Sequence, residues 1–542
     1  MVHRLTLFLL FLLVFLRPLI SGIVNPSSNL YYLFLLSLIS LLFLYPEGKT
    51  RPLGKEEKLW ITFLLWSFIT LFWSVNLHST LLTSLLFLSY FYIFYITKRR
   101  DKKEKEILLY TLLFSTFLVS LYGIYQYFWG LERTREFVFT HMDISTLSPD
   151  FLSRLQTQRA FSTFVYPPAF AGYLILFIPL TFLLAREKEG TLRYMFIFLG
   201  GLELLALFLT KSKGGIFSLI LSILIFSLFF FRGRKRLLSL IMALLLFSPF
   251  LHPGFRKIWR QSFGVRVSYW KAGWRMVRER PLRGFGTGTF GRVFPRYKEP
   301  GREDTQMAHN NYLQVFSEMG LPGGLLFLAL LGVTGRRVWR NRENPLQQGI
   351  ILGYLSFLIH SLIDFDLYIP GITFSLFLLL GMGIYEEKEE KSRGQLVGLI
   401  ISFLILAPLS LRISRSLSLG EEAGLQMRRK EWRKALGLFN QALSYYPWGE
   451  DITRISYHFR KGEIFLLLGE EEKAIQEFRK AVRLDPYRFF YWEKLAMIYF
   501  SRGEYDKAKM YMEKAIFYYP SHPRLKKEMR EIENALRGRK EK

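Results

Sequence analysis

Long apolar stretches, separated by short polar ones, occupy the chain up to about residue 411. A helix needs about 20 apolar residues to cross the hydrocarbon core of a bilayer. The pattern therefore predicts an all-α polytopic membrane bundle of about 12–13 transmembrane helices. No small-residue cleavage site follows the first stretch, so we expect a retained span and not a signal peptide. The predicted spans are residues 5–24, 28–46, 59–76, 79–97, 107–129, 164–185, 192–210, 214–231, 236–252, 312–334, 346–365, 367–385 and 395–411.

Lys and Arg are concentrated in every second loop of this pattern. Residues 98–105 and 232–236 are strongly basic, whereas the short loops at 21–29, 74–80 and 364–370 are nearly free of Lys and Arg. Cytoplasmic loops of membrane proteins retain an excess of these residues. The alternation predicts a cytoplasmic N-terminus, and thirteen spans then place everything beyond about Arg412 on the external side.

The long loop from Pro253 to His309 departs from this charge rule, because it is predicted to be external yet carries 13 basic and 4 acidic residues. Long loops translocate largely regardless of their charge, so the predicted topology still holds. Two interpretations of the charge are open. It forms a solvated surface that faces lipid headgroups, or it lines an external pocket for an anion, most simply a phosphate.

A period of 34 residues begins near Ser416, where the composition changes to Glu, Lys, Arg, Ala, Leu and Tyr. Small residues, aromatic residues and a terminal Pro recur at the spacing of tetratricopeptide repeats. The pattern divides the chain into a membrane domain, 1–411, and a soluble α-solenoid, 416–542. Solenoids usually bind proteins or peptides, and a rigid stabilising module is the alternative. We predict repeats at about 416–449, 455–488 and 489–522, followed by a charged capping helix at 523–542.

The composition excludes several classes of protein. The 542 residues are 51% hydrophobic, carry a net charge of +29 and include no Cys. This argues against a soluble cytosolic enzyme, a disordered chain, a disulfide scaffold and any thiolate or zinc–thiolate chemistry. The sequence also has no P-loop, nucleotide-sugar D-x-D motif or zinc motif. We therefore expect no metal, no cofactor and no nucleic-acid partner.

The external loop contains the strongest candidates for chemistry. Spacing of three to four residues places Val267, Trp270, Trp274 and Val277 on one face of an amphipathic helix, which suits a membrane surface. A glycine-rich run follows, where the backbone can approach a ligand closely or can simply form tight connections. His309 follows the run, at the mouth of a span. Imidazole titrates near neutral pH, so His309 is either a proton-transfer group or an interfacial side chain without chemistry.

Residues 266–323 resemble the signature of the O-antigen ligase superfamily, R-x-x-x-W…P-x-x-G-x-G-x-G-x-F…Y…H-N-x-Y-L…G-L-x-G. Two other segments are similar to that family. The first is Arg159–Tyr173, with Ser162 where Gly is common, and the second is Leu209–Gly215, with Lys213 where Arg is usual. The signature residues are Arg266, Trp270, Pro281, Gly284, Gly286, Gly288, Phe290, Tyr297, His309, Asn310, Tyr312, Leu313, Gly320, Leu321 and Gly323.

The resemblance implies an enzyme of the cytoplasmic (inner) membrane. It implies transfer of a glycan from a polyprenyl-diphosphate carrier to a hydroxyl of lipid A-core, another glycan or a protein, with inversion and without metal, on the external face. Arg266 and His309 would be catalytic. The diphosphate would contact Arg266, Lys213, Arg159 and Lys211. The loop residues Trp270, Gly284, Gly286, Gly288, Asn310 and Tyr312 would support the site.

Other functions remain open. The motif does not separate a ligase from a polymerase or a protein O-oligosaccharyltransferase. A transporter would place charges in the span cores, where Arg17 and Glu203 are the main examples. An assembly scaffold would use the repeats to bind protein partners and would have an inert membrane domain. His360, Asp364 and Asp366 at an outer boundary form either a metal site or, as we favour, simple interfacial caps.

Overall fold

The computed structural model describes residues 2–20, 26–44, 52–141, 156–164, 166–230, 232–234, 236–238, 240–241, 253–384 and 394–540. These residues form helices and their connections, with no strand among them, as the all-α prediction requires. The helices are Val2–Leu16, Pro26–Leu44, Lys55–Ile69, Leu77–Lys98, Lys102–Tyr125, Leu131–His141, Pro167–Glu187, Gly190–Leu209, Lys213–Phe230, Pro253–Glu279, Phe290–Tyr297, Asn311–Trp339, Pro345–His360, Pro370–Gly383, Gly394–Arg428, Trp432–Tyr445, Tyr457–Leu467, Glu471–Leu484, Phe489–Ser501, Tyr505–Tyr518 and Pro523–Lys540.

Within the described part of the chain, seven helices are long and apolar enough to cross a membrane. Each coincides with a predicted span, which confirms the membrane character of the protein. Five other predicted spans correspond to shorter helices. Two of these end early because the chain tightens into 3₁₀ turns, at Arg17–Leu19 and at Thr70–Trp73. The prediction at 236–252 lies mostly outside the described residues. The seven helices are Leu77–Lys98, Lys102–His141, Pro167–Glu187, Gly190–Leu209, Lys213–Phe230, Asn311–Trp339 and Val397–Arg428.

The described chain divides into two compact units. The first contains Met1–Trp60, Leu88–Arg260 and Ala329–Phe403, and the second contains Ile61–Phe87, Gln261–Leu328 and Leu404–Lys542. The helix Gly394–Arg428 is continuous through residues 411–416, where the sequence predicts the domain boundary. The change in composition therefore occurs within one helix and not at a linker.

Helix Pro167–Glu187 forms the centre of the first unit and is buried along most of its length. Gly349 and Gly353 of helix Pro345–His360 face its backbone. A Cβ atom on Gly353 would lie 2.5 Å from the carbonyl oxygen of Leu176, and one on Gly349 would lie 2.7 Å from the Cα of Leu180. Small residues allow membrane helices to approach this closely, so van der Waals packing replaces the hydrophobic effect between them.

A buried group of charges lies elsewhere in the first unit. Lys98 Nζ is 2.7 Å from Glu56 Oε1 and 3.1 Å from Glu57 Oε2, and Arg99 also pairs with Glu57. All four side chains are almost fully enclosed. Buried charges persist when opposite charges compensate them. Two cations of the basic 98–105 loop are thus committed to ion pairs and are not free at a solvated surface.

The second unit contains the repeats. Helix pairs Tyr457–Leu467 with Glu471–Leu484, and Phe489–Ser501 with Tyr505–Tyr518, have the predicted hairpin pattern, and Pro523–Lys540 follows as the last helix. Gly462 lies against the ring of Phe478, where a Cβ atom would be 2.6 Å away. The small residue lets two helices approach and the aromatic ring fills the groove, as the spacing predicts.

Arg292 connects the 253–309 loop, in its part within the second unit, to these repeats. Its guanidinium is buried, and its Nη1 is 2.7 Å from Asp485 Oδ2, while its Nη2 pairs with Glu450. Asn76 Nδ2 donates to the other oxygen of Glu450 at 2.8 Å. Burial alone would lower the pKa of Arg292, but the carboxylates of Glu450 and Asp485 raise it overall, so the cation stays charged. Loop and repeats therefore share an ionic core.

Replacement of Arg292 by Met should destabilise the full-length protein by about 3–5 kcal/mol, because it removes the cation that pairs with both buried carboxylates and leaves only Arg488, at 3.5 Å from Asp485. Thermal unfolding in detergent measures the change. Arg302→Met is the control, since Arg302 lies in the same loop with 53% of its side chain exposed. Adding Glu450→Gln and Asp485→Asn to Arg292→Met should restore part of the loss. Equal melting of Arg292→Met and the parent would show that the network contributes nothing.

Glu477 gives the repeats a pH dependence. Its Oε2 is 2.6 Å from His458 Nδ1, and Lys480 and Lys461 also contact the carboxylate. Burial alone would raise the pKa of Glu477, but these partners lower it to about 2. An unfolded Glu has a pKa of about 4.3. The stabilisation is therefore complete above about pH 4.3 and is lost as the pH falls towards 2.

We expect the parent to lose more stability between pH 6 and pH 3 than Glu477→Gln does, because the variant has no carboxylate at position 477 that could be protonated. Melting temperatures of the two full-length proteins across this range test the prediction. Parallel curves for the two proteins would rule out the contribution of Glu477.

Candidate functional site

Helix Pro253–Glu279 carries Arg266 in the second unit and is amphipathic, as the sequence predicts. The face that the sequence assigns to a membrane surface is only partly covered by protein, with Val277 buried. Trp274 is 52% exposed, whereas Tyr269, Ala272 and Met276 are buried. The ring of Tyr269 packs edge-on against Phe294, at 5.6 Å between centroids. Helical spacing alone could not show which of two apolar stripes meets this partner.

His309 is held by the same turn of this helix. Its ring lies nearly parallel to that of Tyr269 at 5.8 Å, and its carbonyl oxygen accepts a hydrogen bond from Trp270 Nε1 at 3.3 Å. Arg266 precedes Tyr269 and Trp270 by three and four residues, so it lies on the same side of the helix. Arg266 and His309 are 43 residues apart in the sequence, and the resemblance implies that both are catalytic. The two residues adjoin the same helical turn.

The backbone at His309 is left-handed, with φ +49°. A non-glycine residue seldom adopts this conformation and does so at turns or strained functional positions. Two neighbours hold the turn in place. Asn310 Oδ1 accepts from the N–H of Leu313 at 2.9 Å and caps helix Asn311–Trp339, and Gln314 Oε1 accepts from the N–H of Ala308. Asn310 therefore supports the site by orienting the chain. Tyr312 lies in the first turn of that helix, with its ring 6.2 Å from Phe327.

The glycine-rich run packs against its own chain. Gly284 has φ +65° and Gly286 has φ +106°. A Cβ atom at Gly284 would lie 2.3 Å from the carbonyl oxygen of Glu318, and one at Gly286 would lie 2.4 Å from Ser74 Oγ. These contacts support the tight-connection interpretation of the glycines. The close approach is to protein and not to a ligand.

Glu318 organises this loop, and the sequence analysis missed it. The side chain is buried, accepts from the N–H of Gly288 at 2.7 Å and from that of Phe290 at 3.1 Å, and also contacts Gln314 Nε2. The signal was present, since Glu318 is an acid within a predicted span. Such residues mark polar structure inside a membrane domain.

The remaining predicted cations lie in the first unit. Arg159 Nε donates to the carbonyl oxygen of Thr210 at 2.9 Å, next to Lys211. Lys211 is exposed at a turn with φ +51°, and its Nζ lies 5.3 Å from the ring centroid of Tyr127. Lys213 begins helix Lys213–Phe230. The structure thus brings Arg159, Lys211 and Lys213 to one turn.

Ser162 occupies the position where Gly is common in the resembled family, and its backbone explains that preference. It has φ +51°, a conformation that Gly adopts without cost. The N–H groups of Phe161 and Ser162 both donate to Gln126 Oε1, at 2.9 and 2.8 Å, and Ser162 Oγ donates to the carbonyl oxygen of Val119 at 2.7 Å. These hydrogen bonds fix the segment despite the substitution.

His360 and the two aspartates after it form a hydrogen-bonded group in the first unit. His360 Nδ1 is 2.6 Å from Asp366 Oδ2, and Tyr166 donates to Asp364 Oδ1 at 2.7 Å. A Cβ atom on Gly214 would lie 3.7 Å from His360 Nε2, so the imidazole faces the turn that carries Lys213. Among the described residues, no group of three or more His, Asp or Glu side chains has a metal-binding arrangement. The three side chains are almost fully buried, so whether they act as interfacial caps stays a prediction.

Hydrogen-bond donors and positive charge are thus present at one turn in each unit. In the second unit this is the turn of Arg266, and in the first unit it is the turn of Arg159, Lys211 and Lys213. The Arg266 turn also offers an imidazole in a fixed orientation. Positive charge on preorganised donors can stabilise a phosphate or diphosphate, and an oriented imidazole can accept a proton.

Comparison with protein families identifies two regions of the chain. Residues 195–328 match the O-antigen ligase family, and residues 455–488 and 491–522 match the tetratricopeptide repeat. The first match includes Lys211, Lys213, Arg266 and His309, which confirms the resemblance in the sequence.

Two curated relatives are also similar. A TPR repeat-containing protein of Methanocaldococcus jannaschii is 32% identical over 93 residues, which are 17% of this chain and 15% of that protein. A heat-shock cognate co-chaperone of Aspergillus fumigatus is 32% identical over 98 residues, which are 18% of this chain and 27% of that protein. The chain thus spans less than a third of either relative. It carries an O-antigen ligase region at 195–328 followed by tetratricopeptide repeats at 455–522.

Proposed function

We propose that the protein transfers a glycan from a polyprenyl-diphosphate carrier to an acceptor hydroxyl on the external face of the cytoplasmic membrane. The observation that carries the proposal is that His309 is held against Tyr269 and Trp270, one helical turn after Arg266, within the O-antigen ligase region. The acceptor class is lipid A-core, another glycan or a protein.

The proposed reaction is a single displacement at the anomeric carbon. The acceptor oxygen forms the new glycosidic bond, the bond from that carbon to the carrier phosphate breaks, and its electron pair leaves with the diphosphate. A diphosphate is a good leaving group when its charge is neutralised, so it needs cations more than a strong acid. Arg266 supplies a planar guanidinium that can bind two phosphate oxygens at once.

His309 receives the acceptor proton in this proposal. A neutral imidazole can accept the proton of an attacking hydroxyl group. The stacking on Tyr269 and the hydrogen bond from Trp270 restrict its position, and preorganisation of this kind lowers the barrier to transfer. Arg159, Lys211 and Lys213 in the first unit remain predicted phosphate contacts, with Lys213 acting as a point charge where the family usually has Arg.

The proposed topology has a cytoplasmic N-terminus and places the 253–311 loop and the repeats outside. The ion pairs of Arg292 support the placement of the loop and the repeats on the same side of the membrane. The loop and the repeats share buried ion pairs within one unit, so they lie on the same side of the membrane. Four predicted spans lie between the loop and the repeats, and this even number of crossings returns the chain to the same side.

Arg266→Ala and His309→Ala should each lower glycan transfer by roughly 100-fold or more, because each removes a group that acts in the transition state. Purified protein in vesicles with a polyprenyl-diphosphate glycan, followed by mass analysis of the acceptor, provides the measurement. Arg278→Ala is the matched control, since Arg278 is an exposed arginine on the same helix. It should stay within about twofold of the parent.

Unchanged transfer by both variants would show that these side chains are interfacial anchors. Arg266→Lys adds a finer test, because lysine keeps the charge but loses the two-point contact. Absence of transfer by the parent as well would favour the transporter or scaffold alternative.

The repeats offer a surface for the acceptor or a protein partner. A cavity of about 690 Å³ lies among helices Gly394–Arg428, Trp432–Tyr445 and Tyr457–Leu467. Its lining combines apolar side chains such as Leu425, Trp432 and Leu467 with the charged Arg428 and Glu463. We propose that this cavity recognises the acceptor or a protein that presents it.

Leu467→Glu should reduce transfer to the natural acceptor by about tenfold while donor binding stays unchanged, since it puts a charge in the apolar lining. Leu467 is 62% exposed, so the substitution should leave the fold intact. Met510→Glu is the control, because Met510 is similarly exposed at 48% but lies outside the cavity. Equal products from both variants would favour the rigid-module alternative. Deletion of the repeats is less informative, since it would also remove the partners of Arg292.

A further inference from the structure

Arg17 is a charged side chain enclosed within the first unit. It begins the 3₁₀ turn that follows helix Val2–Leu16, and only 2% of it is exposed. Taking a guanidinium out of water costs several kcal/mol unless opposite charge compensates it. Charges at membrane depth are therefore rare and mark functional positions more often than structural ones.

The partners of Arg17 that the structure describes are electrically neutral. Its Nη2 donates to Asn29 Oδ1 at 2.6 Å, and its guanidinium carbon lies 4.5 Å from the ring centroid of Tyr32. Among the described residues, no carboxylate forms an ion pair with Arg17, and its Nε and Nη1 have no hydrogen-bond acceptor. The hydroxyl of Tyr32 also has no hydrogen-bond partner there. Two guanidinium nitrogens of Arg17 and the nearby hydroxyl of Tyr32 are thus left without a hydrogen-bond partner among the described residues.

Two other enclosed cations of the protein have carboxylate partners. Lys98 contacts Glu56 and Glu57, and Arg292 contacts Glu450 and Asp485. The chain thus supplies two carboxylates to each of these cations and, among its described residues, none to Arg17. The difference indicates that the anion for Arg17 comes from outside the protein.

The position of Arg17 indicates what that anion is. The carbonyl oxygen of Pro18 accepts from Thr163 Oγ1 at 2.6 Å, so Arg17 adjoins the segment that carries Arg159. In the proposed topology the first helix begins in the cytoplasm, which places Arg17 towards its external end. The anions available at that depth are lipid phosphates, and guanidinium binds phosphate through charge-assisted hydrogen bonds.

We propose that Arg17, with Asn29 and Tyr32, binds the phosphate group of a membrane lipid near the external end of the first helix. The phosphate belongs either to a phospholipid headgroup or to a polyprenyl carrier. The site goes beyond the proposed transfer reaction, because it needs neither Arg266 nor His309 and can be measured by lipid binding alone.

The test compares the full-length parent, Arg17→Met and Arg4→Met, where Arg4 is an exposed arginine on helix Val2–Leu16, which precedes Arg17. Binding of phosphatidylglycerol, a polyprenyl diphosphate and uncharged diacylglycerol is measured by native mass spectrometry and by the shift in melting temperature. We expect the parent and Arg4→Met to bind a phosphate lipid, and Arg17→Met to bind it about tenfold or more weakly. Diacylglycerol should not shift the melting temperature of any of them.

The sign of the stability change separates this site from a structural role. In lipid-free detergent, Arg17→Met should be at least as stable as the parent, because it removes an uncompensated buried charge. Added phosphate lipid should then stabilise the parent and not the variant. Preference for polyprenyl diphosphate over phosphatidylglycerol would identify the carrier as the ligand, and equal binding would identify a headgroup site.

Tyr32→Phe provides a second variant that keeps the ring and removes only the hydroxyl. It should fold like the parent and bind phosphate lipid severalfold more weakly. The proposal is overturned if the parent binds neither phosphate lipid saturably, or if Arg17→Met and Tyr32→Phe bind both lipids as the parent does. A loss of stability in Arg17→Met without any dependence on phosphate lipid would assign Arg17 a structural role.

Discussion

The ion pairs of Arg292 with Glu450 and Asp485 are the contact on which the organisation of the second unit depends. They bury three charged groups that would each be unfavourable without the others. Arg292 lies on the short helix Phe290–Tyr297, whose first N–H also donates to Glu318, and Phe294 of that helix packs on Tyr269. Displacing the repeats would therefore disturb the helix that packs on Tyr269, the residue whose ring lies beside His309. The repeats are part of the same core as the candidate site and are not merely an appended recruiting module.

This arrangement also changes the interpretation of the basic external loop. Arg292 forms buried ion pairs with the repeats. The guanidinium carbon of Arg296 lies 4.3 Å from the ring centroid of Phe517, and its Nη1 contacts the hydroxyl of Tyr487. Lys298 pairs with Asp304 at 2.8 Å and also contacts Tyr519. These three cations attach the loop to the repeats. Neither of the two interpretations of the loop charge, a surface that faces lipid headgroups or a pocket for an anion, accounts for this role.

The sequence predicted those features that depend on local pattern. Apolar length located the spans, and the recurrence of small and aromatic residues located the repeats, as Gly462 and Phe478 illustrate. Contacts between distant parts of the chain were not predictable. Arg292 and Glu450 are 158 residues apart, and no local signal pairs them. The burial of Tyr269 depends on a partner ring on another helix, and the role of Ser162 follows from its backbone conformation.

The central claim is that this membrane protein transfers a glycan from a lipid diphosphate with Arg266 and His309 at the reacting centre. The most direct measurement uses the purified parent in vesicles with a polyprenyl-diphosphate glycan and, separately, lipid A-core, a glycan and a protein acceptor. The account predicts that one acceptor gains the mass of the donor glycan while free polyprenyl diphosphate appears in equal amount. A folded, membrane-inserted protein that leaves the donor intact with every acceptor would contradict it.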